Sequence, residues 1–144
     1  MKILLASDGS KNALGAVDYL VRQARLCRAK PRVELVHVQA PLPRLPNMAK
    51  VIGTDQIRGY YRDQGEAALA KARRKLAAAR IPFTERMLVG PVAETLLAHA
   101  KQSGCELVLV GSRGMSAVGK VLLGSSTDRL LRLSPIPVLV VRNA

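Results

Sequence analysis

Short apolar runs alternate with segments of helical periodicity along the chain. Runs of four to eight apolar or alternating residues between turn residues are typical of strands, which are predicted over 2–7, 32–39, 83–89, 107–110 and 136–142. The intervening segments repeat apolar residues every three to four positions. They predict helices after Ser10, over about 55–80, between Pro91 and Gly104, and over 127–133.

Strict alternation of strand and helix predicts an α/β fold. The expected architecture is a single doubly wound, five-stranded parallel sheet with helices on both faces and right-handed crossovers. The first strand is apolar on both faces and is expected to be central. The third, 83–89, mixes polar and apolar residues and is expected at an edge.

Length and composition favour one domain over residues 1–144. No apolar run approaches the ~20 residues needed to span a bilayer, and the N-terminal run meets Asp8 too soon for a secretory signal. We therefore expect a cytoplasmic protein without membrane association. Cys27 and Cys105 lack CxxC or zinc spacing, so buried thiols and no metal site are expected.

The formal net charge is +13, which raises the question of a nucleic-acid or acidic protein partner. Three Tyr and one Phe give little material for stacking single-stranded bases. The basic cluster 71–75 falls near a predicted helix C-terminus, where the helix dipole favours cations. Nucleic-acid binding is thus not the expected primary function, but a basic interaction module remains the alternative.

A glycine-rich loop, residues 111–126, leaves the fourth predicted strand and enters a short helix. Glycines allow close backbone approach, and N–H groups at a helix start favour an anion such as phosphate. Gly114, Gly119 and Lys120 satisfy most of a Walker A pattern, but Val121 stands where a magnesium-binding Ser or Thr is needed, so this reading is rejected. A simple turn remains an alternative for the glycines.

Three titratable residues need separate interpretation. Asp8 follows the first strand, where an open α/β sheet delivers side chains to a ligand, but capping or turn formation is an equal alternative. His37 lies inside a strand and is expected to be packed or hydrogen-bonded. His99, on a predicted helix, is expected to face solvent.

The whole chain resembles a universal stress protein of the A type. The resemblance rests on 3–10, 36–38, 90–93, 107–114, 123–127 and 135–141, which include the spacing Gly111, Gly114, Gly124, Ser125. It implies strand order 3-2-1-4-5, in an adenine-nucleotide alpha-hydrolase-like fold, with a ligand crevice between strands one and four. Members with this complete glycine spacing bind ATP or a related adenine nucleotide, and Mg²⁺ would be carried by its phosphates.

The resemblance also implies residue roles. Ala6, Ser7 and Asp8 would border adenine and ribose, and Val38 would contact the base. Gly111 and Gly114 would line the ribose and α-phosphate, and Gly124, Ser125 and Ser126 would hold the β- and γ-phosphates. From position alone, Arg113 and Lys120 are added as phosphate neighbours, with flexible surface charge as the alternative.

The implied function is that of a stress-response sensor or regulator. ATP hydrolysis, if any, is expected to be slow, because no water-positioning base is evident and no catalytic residue is assigned. A homodimer formed through the final strand, 137–142, is also implied. The proline-rich loop 40–53 matches no motif, and its role as a lid is left open.

Overall fold

The structure is a computed structural model that describes residues 1–43, 53–113 and 123–142. Within these ranges the chain forms five strands and four helices in strict alternation. The strands are β1 (Lys2–Ala6), β2 (Arg32–Gln39), β3 (Phe83–Val89), β4 (Leu107–Gly111) and β5 (Val138–Val141). The helices are α1 (Lys11–Ala24), α2 (Thr54–Ala78), α3 (Val92–Gln102) and α4 (Ser125–Leu133).

All strand pairs are parallel, and the sheet order is β3-β2-β1-β4-β5, which confirms the predicted fold. The apolar strand β1 lies at the centre, paired with β2 on one side and β4 on the other. The polar pattern of β3 is explained by its place at the edge, where part of each face is solvated.

Two hydrophobic clusters cover the two faces of the sheet. On one face α1 and α2 pack against side chains such as Leu5 and Leu35, and on the other α3 and α4 pack against Leu4 and Val36. All four of these residues are fully buried, with 0% of their surface exposed. Because successive strand residues point to opposite faces, the continuous apolar runs of β1 and β2 supply both clusters.

Local signals in the sequence set the helix boundaries. Ser10 caps α1, since its Oγ accepts a hydrogen bond from the N–H of Ala13 at 3.1 Å, an interaction worth about 1 kcal/mol. Gly104 follows the end of α3 with φ +67°, a conformation that favours glycine. No helix in the three described ranges is long and apolar enough to cross a membrane.

The prediction that His99 faces solvent is wrong. Its side chain is 12% exposed, and its Nε2 lies 3.2 Å from Glu34 Oε2 and 3.1 Å from Ser103 Oγ. Lys2 Nζ approaches the other Glu34 oxygen at 2.9 Å. A Ser-His-acid triad would use opposite imidazole nitrogens, whereas here both partners meet the same one. This cluster therefore ties β1, β2 and α3 together at the N-terminal edge of the sheet.

Burial and hydrogen bonding act in opposite directions on the carboxyl group of Glu34. Burial acts to raise its pKa, but hydrogen bonds from Lys2, Thr84 and His99 together outweigh burial and hold the pKa below its ordinary value. The carboxylate is thus kept ionised although the residue is only 6% exposed.

The two cysteines differ, so the expectation that both are buried is half wrong. Cys27 is exposed in the segment that follows α1, while Cys105 is buried in the segment that precedes β4. Burial raises the pKa of the Cys105 thiol, which keeps that group protonated and unreactive at neutral pH.

Candidate nucleotide site

The C-terminal edge of the sheet brings most of the predicted site residues together. The sheet order reverses between β1 and β4, so the connections that leave these two strands run to opposite faces. A crevice at such a point is where open α/β sheets bind ligands. Asp8 follows the end of β1, Gly111 ends β4, and Val38 lies near the end of β2.

Apolar residues line the α3 and α4 face beside this crevice. Val38 is 9% exposed and belongs to the cluster on that face, and Ala6 is partly buried against it. Val110, which was not among the predicted site residues, belongs to the same cluster. The sequence could have indicated Val110 as a site residue, because it directly precedes Gly111. These side chains can offer a flat apolar surface to an aromatic base.

Ser7 is built into the fold through all of its polar groups. Its N–H donates to Val36 O at 2.9 Å, and its carbonyl oxygen lies 2.9 Å from His37 Nδ1. Its hydroxyl donates to Ala68 O at 3.1 Å and accepts from the N–H of Gly9 at 3.3 Å. Ser7 therefore shapes the turn after β1, and its hydroxyl points toward α2. The same bonds confirm the prediction that His37 is hydrogen-bonded within the fold.

Asp8 stabilises the turn into α1. Its Oδ1 accepts a hydrogen bond from the N–H of Ser10 at 3.0 Å, so the turn role foreseen as one alternative is present. This contact occupies one lone pair of a carboxylate that has about four, so this bond alone does not exclude a ligand role. The side chain is partly exposed at the strand edge.

Gly111 is in tight contact with the start of α1. A Cβ at this position would come within 2.5 Å of the carbonyl carbon of Asn12 and 2.6 Å of its oxygen. Backbone atoms cannot move aside as a flexible side chain can. The packing of α1 onto β4 is thus sufficient to require glycine here, and this requirement was not visible in the sequence.

Two hydrogen bonds hold the N-terminus of α4 against the end of β4. The N–H of Gly124 donates to Ser112 O at 2.8 Å, and the Thr127 hydroxyl donates to Gly111 O at 3.1 Å. Both Ser112 and Thr127 are buried. These contacts join the end of β4 to the start of α4. Ser112 and Thr127 were missed as positioning residues because neither fits a ligand-binding pattern.

The first turn of α4 has no side-chain cap. Gly124 is the N-cap residue, with φ −71° and ψ 152°, and it has no side chain that could accept from the following N–H groups. Ser125 is exposed and Ser126 is partly exposed. The N–H groups and hydroxyls at this helix start can therefore bind an anion, with the helix dipole adding to the attraction.

The structure does not test the placement of every predicted site residue. Gly114 and Lys120 lie outside the described residues, as does most of the 40–53 loop. Arg113 is described and is partly exposed directly after β4 and Ser112. In the described part of the chain no group of three His, Cys, Asp or Glu residues is arranged to hold a metal ion.

The fold and the arrangement of this edge define an α/β protein of the adenine-nucleotide alpha-hydrolase-like class. A family model described as "Universal stress protein family" matches residues 1–142. The chain therefore belongs to the universal stress protein family. It is 31% identical to universal stress protein YxiE of Bacillus subtilis over 147 residues, covering 98% of each chain. It is 30% identical to a universal stress protein of Thermus aquaticus, covering 97% of each chain.

Solved structures with the same fold include nucleotide complexes. Universal stress protein UspA from Lactobacillus plantarum matches with a TM-score of 0.80 at 19% identity, covering 99% of this chain and 97% of that one. A universal stress protein in complex with cAMP matches with a TM-score of 0.68 at 26% identity, covering 100% and 98%. An Arabidopsis thaliana family member with AMP bound matches with a TM-score of 0.72 at 15% identity, covering 100% and 92%. At their identities, the first and third matches establish the fold alone.

Proposed function

We propose that this protein binds an adenine nucleotide, with ATP as the expected ligand, between the ends of β1 and β4. In this proposal it acts as a cytoplasmic stress-response sensor or regulator whose state depends on the bound nucleotide. The observation that carries the proposal is the N-terminus of α4, which lies against the end of β4 and has no side-chain cap. The cAMP complex of the 26% identical universal stress protein supports an adenine nucleotide as the ligand.

The phosphates would bind at the start of α4. The N–H groups and hydroxyls of Ser125 and Ser126 supply donors, and Gly124 leaves room for close approach. Hydrogen bonds to a charged oxygen contribute about 1.5–3 kcal/mol each, net of the bonds to water that they replace, so two or three of them would favour phosphate binding. Gly114, by family resemblance, and Arg113, by position, would complete the phosphate contacts.

The nucleoside would bind on the β1 side. Ala6 and Val38 provide an apolar surface for the base, and the carboxylate of Asp8 can accept hydrogen bonds from ribose hydroxyls. Gly111 would border the ribose. Ser7 would act through the shape of the turn after β1 and not through a hydrogen bond to the nucleoside, since its polar groups bind within the fold.

Mg²⁺ would be carried by the phosphates and neutralise part of their charge. We assign no catalytic residue, and any ATP hydrolysis is expected to be slow, because no water-positioning base is evident in the sequence. The protein's own contribution is binding and orientation of the nucleotide.

The proposal is tested by a proline substitution at the first residue of α4. Ser125→Pro removes one N–H and one hydroxyl, while proline is well tolerated at a first helical position. We expect the ATP affinity of nucleotide-free protein to fall by about tenfold or more, equivalent to ~1.4 kcal/mol or more, and the adenosine affinity to remain unchanged.

Thr54→Pro is the matched control, because Thr54 is also exposed, begins a helix and follows a glycine N-cap without a side-chain cap. Its ATP affinity should equal that of the wild type in the same calorimetric titration. The proposal fails if wild-type protein binds neither ATP nor another adenine nucleotide, or if Ser125→Pro binds ATP as tightly as Thr54→Pro does.

We also propose that the protein is a homodimer paired through β5. This strand is a sheet edge, and all four of its residues are only partly buried in the single chain. An edge of this kind is satisfied when a second copy pairs with it across a two-fold axis.

A further inference from the structure

The acidic residues of this protein are largely neutralised within the fold. At least eight of the ten take part in ion pairs with described residues: Asp18, Glu34, Asp63, Glu66, Glu85, Glu94, Glu106 and Asp128. Because the chain has 23 Lys and Arg residues, the acidic residues can neutralise only a minority of them, and the net charge is +13. Where those cations cluster indicates where an anionic partner would bind.

The outer surface of α1 and α2 carries such a cluster. The two helices lie on the same face of the sheet and are joined by an ion pair between Lys75 Nζ and Asp18 Oδ1 at 2.6 Å. Arg22 and Arg25 follow Asp18 by four and seven positions, and Lys71 precedes Lys75 by four, so each shares a helix stripe with its member of the pair. Arg74 adjoins Lys75 on the outside of α2.

We define the basic face as Arg22, Arg25, Lys71 and Arg74. All four are exposed, and none forms an ion pair with any residue that the structure describes. Their neighbours differ in this respect: Arg73, on the opposite side of α2, is held by Glu66 at 2.9 Å and Glu85 at 2.6 Å. The basic face is thus a specific subset of the cations and not the whole 71–75 cluster.

A groove of about 490 Å³ runs between the two helices beside the basic face. Three lysines line it, Lys11, Lys71 and Lys75, together with Asp18, whose carboxylate is paired with Lys75. Gly9 and Gly15 also line it and have no side chain to fill it. At ~1.5 Å rise per residue, Lys11 lies roughly 20 Å from Arg25 along α1, with Arg22 near Arg25 and the paired Asp18 between Lys11 and Arg22. An extended polyanion can contact cations along that length.

The chemistry of this surface fits phosphates better than bases or a protein. Among described residues that line the groove, Leu14 is the only large apolar side chain, and it is partly buried. No aromatic side chain lines it, so the groove offers no platform for unstacked bases. Protein partners are usually anchored by a cluster of aromatic and apolar residues, whereas the groove offers only the partly buried Leu14 and the basic face adjoins only one exposed apolar side chain, Leu26.

We infer that the basic face binds the phosphate backbone of a nucleic-acid duplex, without reading its sequence. This function is separate from nucleotide binding at the β1 and β4 ends, because the basic face shares no residue with that site. Four phosphate contacts predict that the logarithm of the association constant falls with the logarithm of salt concentration with a slope of about −3.6.

The test uses a fluorescein-labelled DNA duplex of mixed sequence and fluorescence anisotropy at several NaCl concentrations. The face variant combines Arg22→Gln, Arg25→Gln, Lys71→Gln and Arg74→Gln. A matched control combines Arg32→Gln, Arg58→Gln, Arg86→Gln and Lys101→Gln, which are exposed residues elsewhere with the same total charge. Since both variants lose four charges, any difference between them reports the location of the charge and not its amount.

We expect the face variant to bind the duplex at least tenfold more weakly than the control at low salt, with a salt slope shallower than that of the control. A charge-retaining variant, with Lys at the three Arg positions and Arg at Lys71, should bind like wild type, and all variants should keep the wild-type ATP affinity. Equal weakening in both glutamine variants overturns the inference, as does absence of duplex binding by wild type. Tighter binding of single strands, polyphosphate or poly-glutamate than of the duplex also overturns it.

Discussion

Gly111→Ala is the substitution that best separates two reasons for a glycine at the end of β4. The family pattern implies that glycine is needed for a nucleotide to approach. The structure places the backbone of α1 where a Cβ would be, with Asn12 C at 2.5 Å, Asn12 O at 2.6 Å and Ala13 N at 2.8 Å. Favourable contacts between carbon atoms begin at about 3.5 Å, so α1 would have to shift by several tenths of an ångström or more.

The size of the effect follows from this overlap. Inserting a methyl group into a well-packed site costs about 1–3 kcal/mol when neighbouring backbone has to move. For a chain of 144 residues, each kcal/mol lowers the melting temperature by about 3–4 °C, so the expected loss is roughly 3–12 °C. This loss should appear in protein freed of nucleotide, because it does not depend on a ligand.

Thermal unfolding followed by circular dichroism measures the prediction. Gly59→Ala is the control, because Gly59 lies inside α2 and a Cβ there would meet nothing within 4 Å. That change should raise stability by up to ~1 kcal/mol, since alanine is the better helix former. If Gly111→Ala melts no lower than wild type while Gly59→Ala behaves as expected, the packing argument for Gly111 is wrong.

Three further predictions concern single contacts. Thr127→Val should weaken ATP binding severalfold relative to adenosine, and Thr127→Ser should restore it, because the hydroxyl holds the start of α4 to Gly111; equal loss for both ligands contradicts this role. Glu34→Gln should lower the free energy of unfolding at pH 7 by about 1–3 kcal/mol. Because the folded-state pKa of Glu34 is lowered from 4.5, the stability that its carboxylate contributes is present above pH 4.5 and is lost as the pH falls through the folded-state pKa. The urea unfolding midpoints of variant and wild type should therefore converge in acid. A difference between the midpoints that stays constant with pH refutes this prediction. In β5, residues 137 and 141 bond to β4, which leaves the N–H of Val140 on the outer edge. Val140→Pro should therefore give a monomer mass by light scattering where wild type gives a dimer, and a dimeric variant or a monomeric wild type opposes the edge-pairing proposal.

Periodicity and turn residues were sufficient to predict the five strands and four helices of the described ranges and the parallel arrangement of the strands. The signals are local: Ser10 caps a helix, Gly104 ends one, and the apolar runs of β1 and β4 are too uniform for surface strands. Strand order is a different matter, because periodicity does not specify which strands are neighbours. The order came from family resemblance, and the sheet pairing confirms it.

The roles of individual polar residues were harder to predict, because they depend on contacts between distant parts of the chain. His99 meets Glu34, 65 positions away, and Ser7 bonds to Ala68, 61 positions away. The contact of Gly111 with Asn12 joins two elements that no periodicity relates. Residue type at these positions is compatible with either a ligand or a structural partner, and only the fold decides which partner is within reach.

The location of the nucleotide site is tested most directly by a nuclear magnetic resonance titration of ¹⁵N-labelled, nucleotide-free protein with ATP. We expect the largest amide shifts at Asp8, Gly111 and the start of α4, from Gly124 to Ser126, with saturation at one nucleotide per chain. Shifts centred instead on the groove between α1 and α2, or no shifts at saturating ATP, would contradict the proposed site.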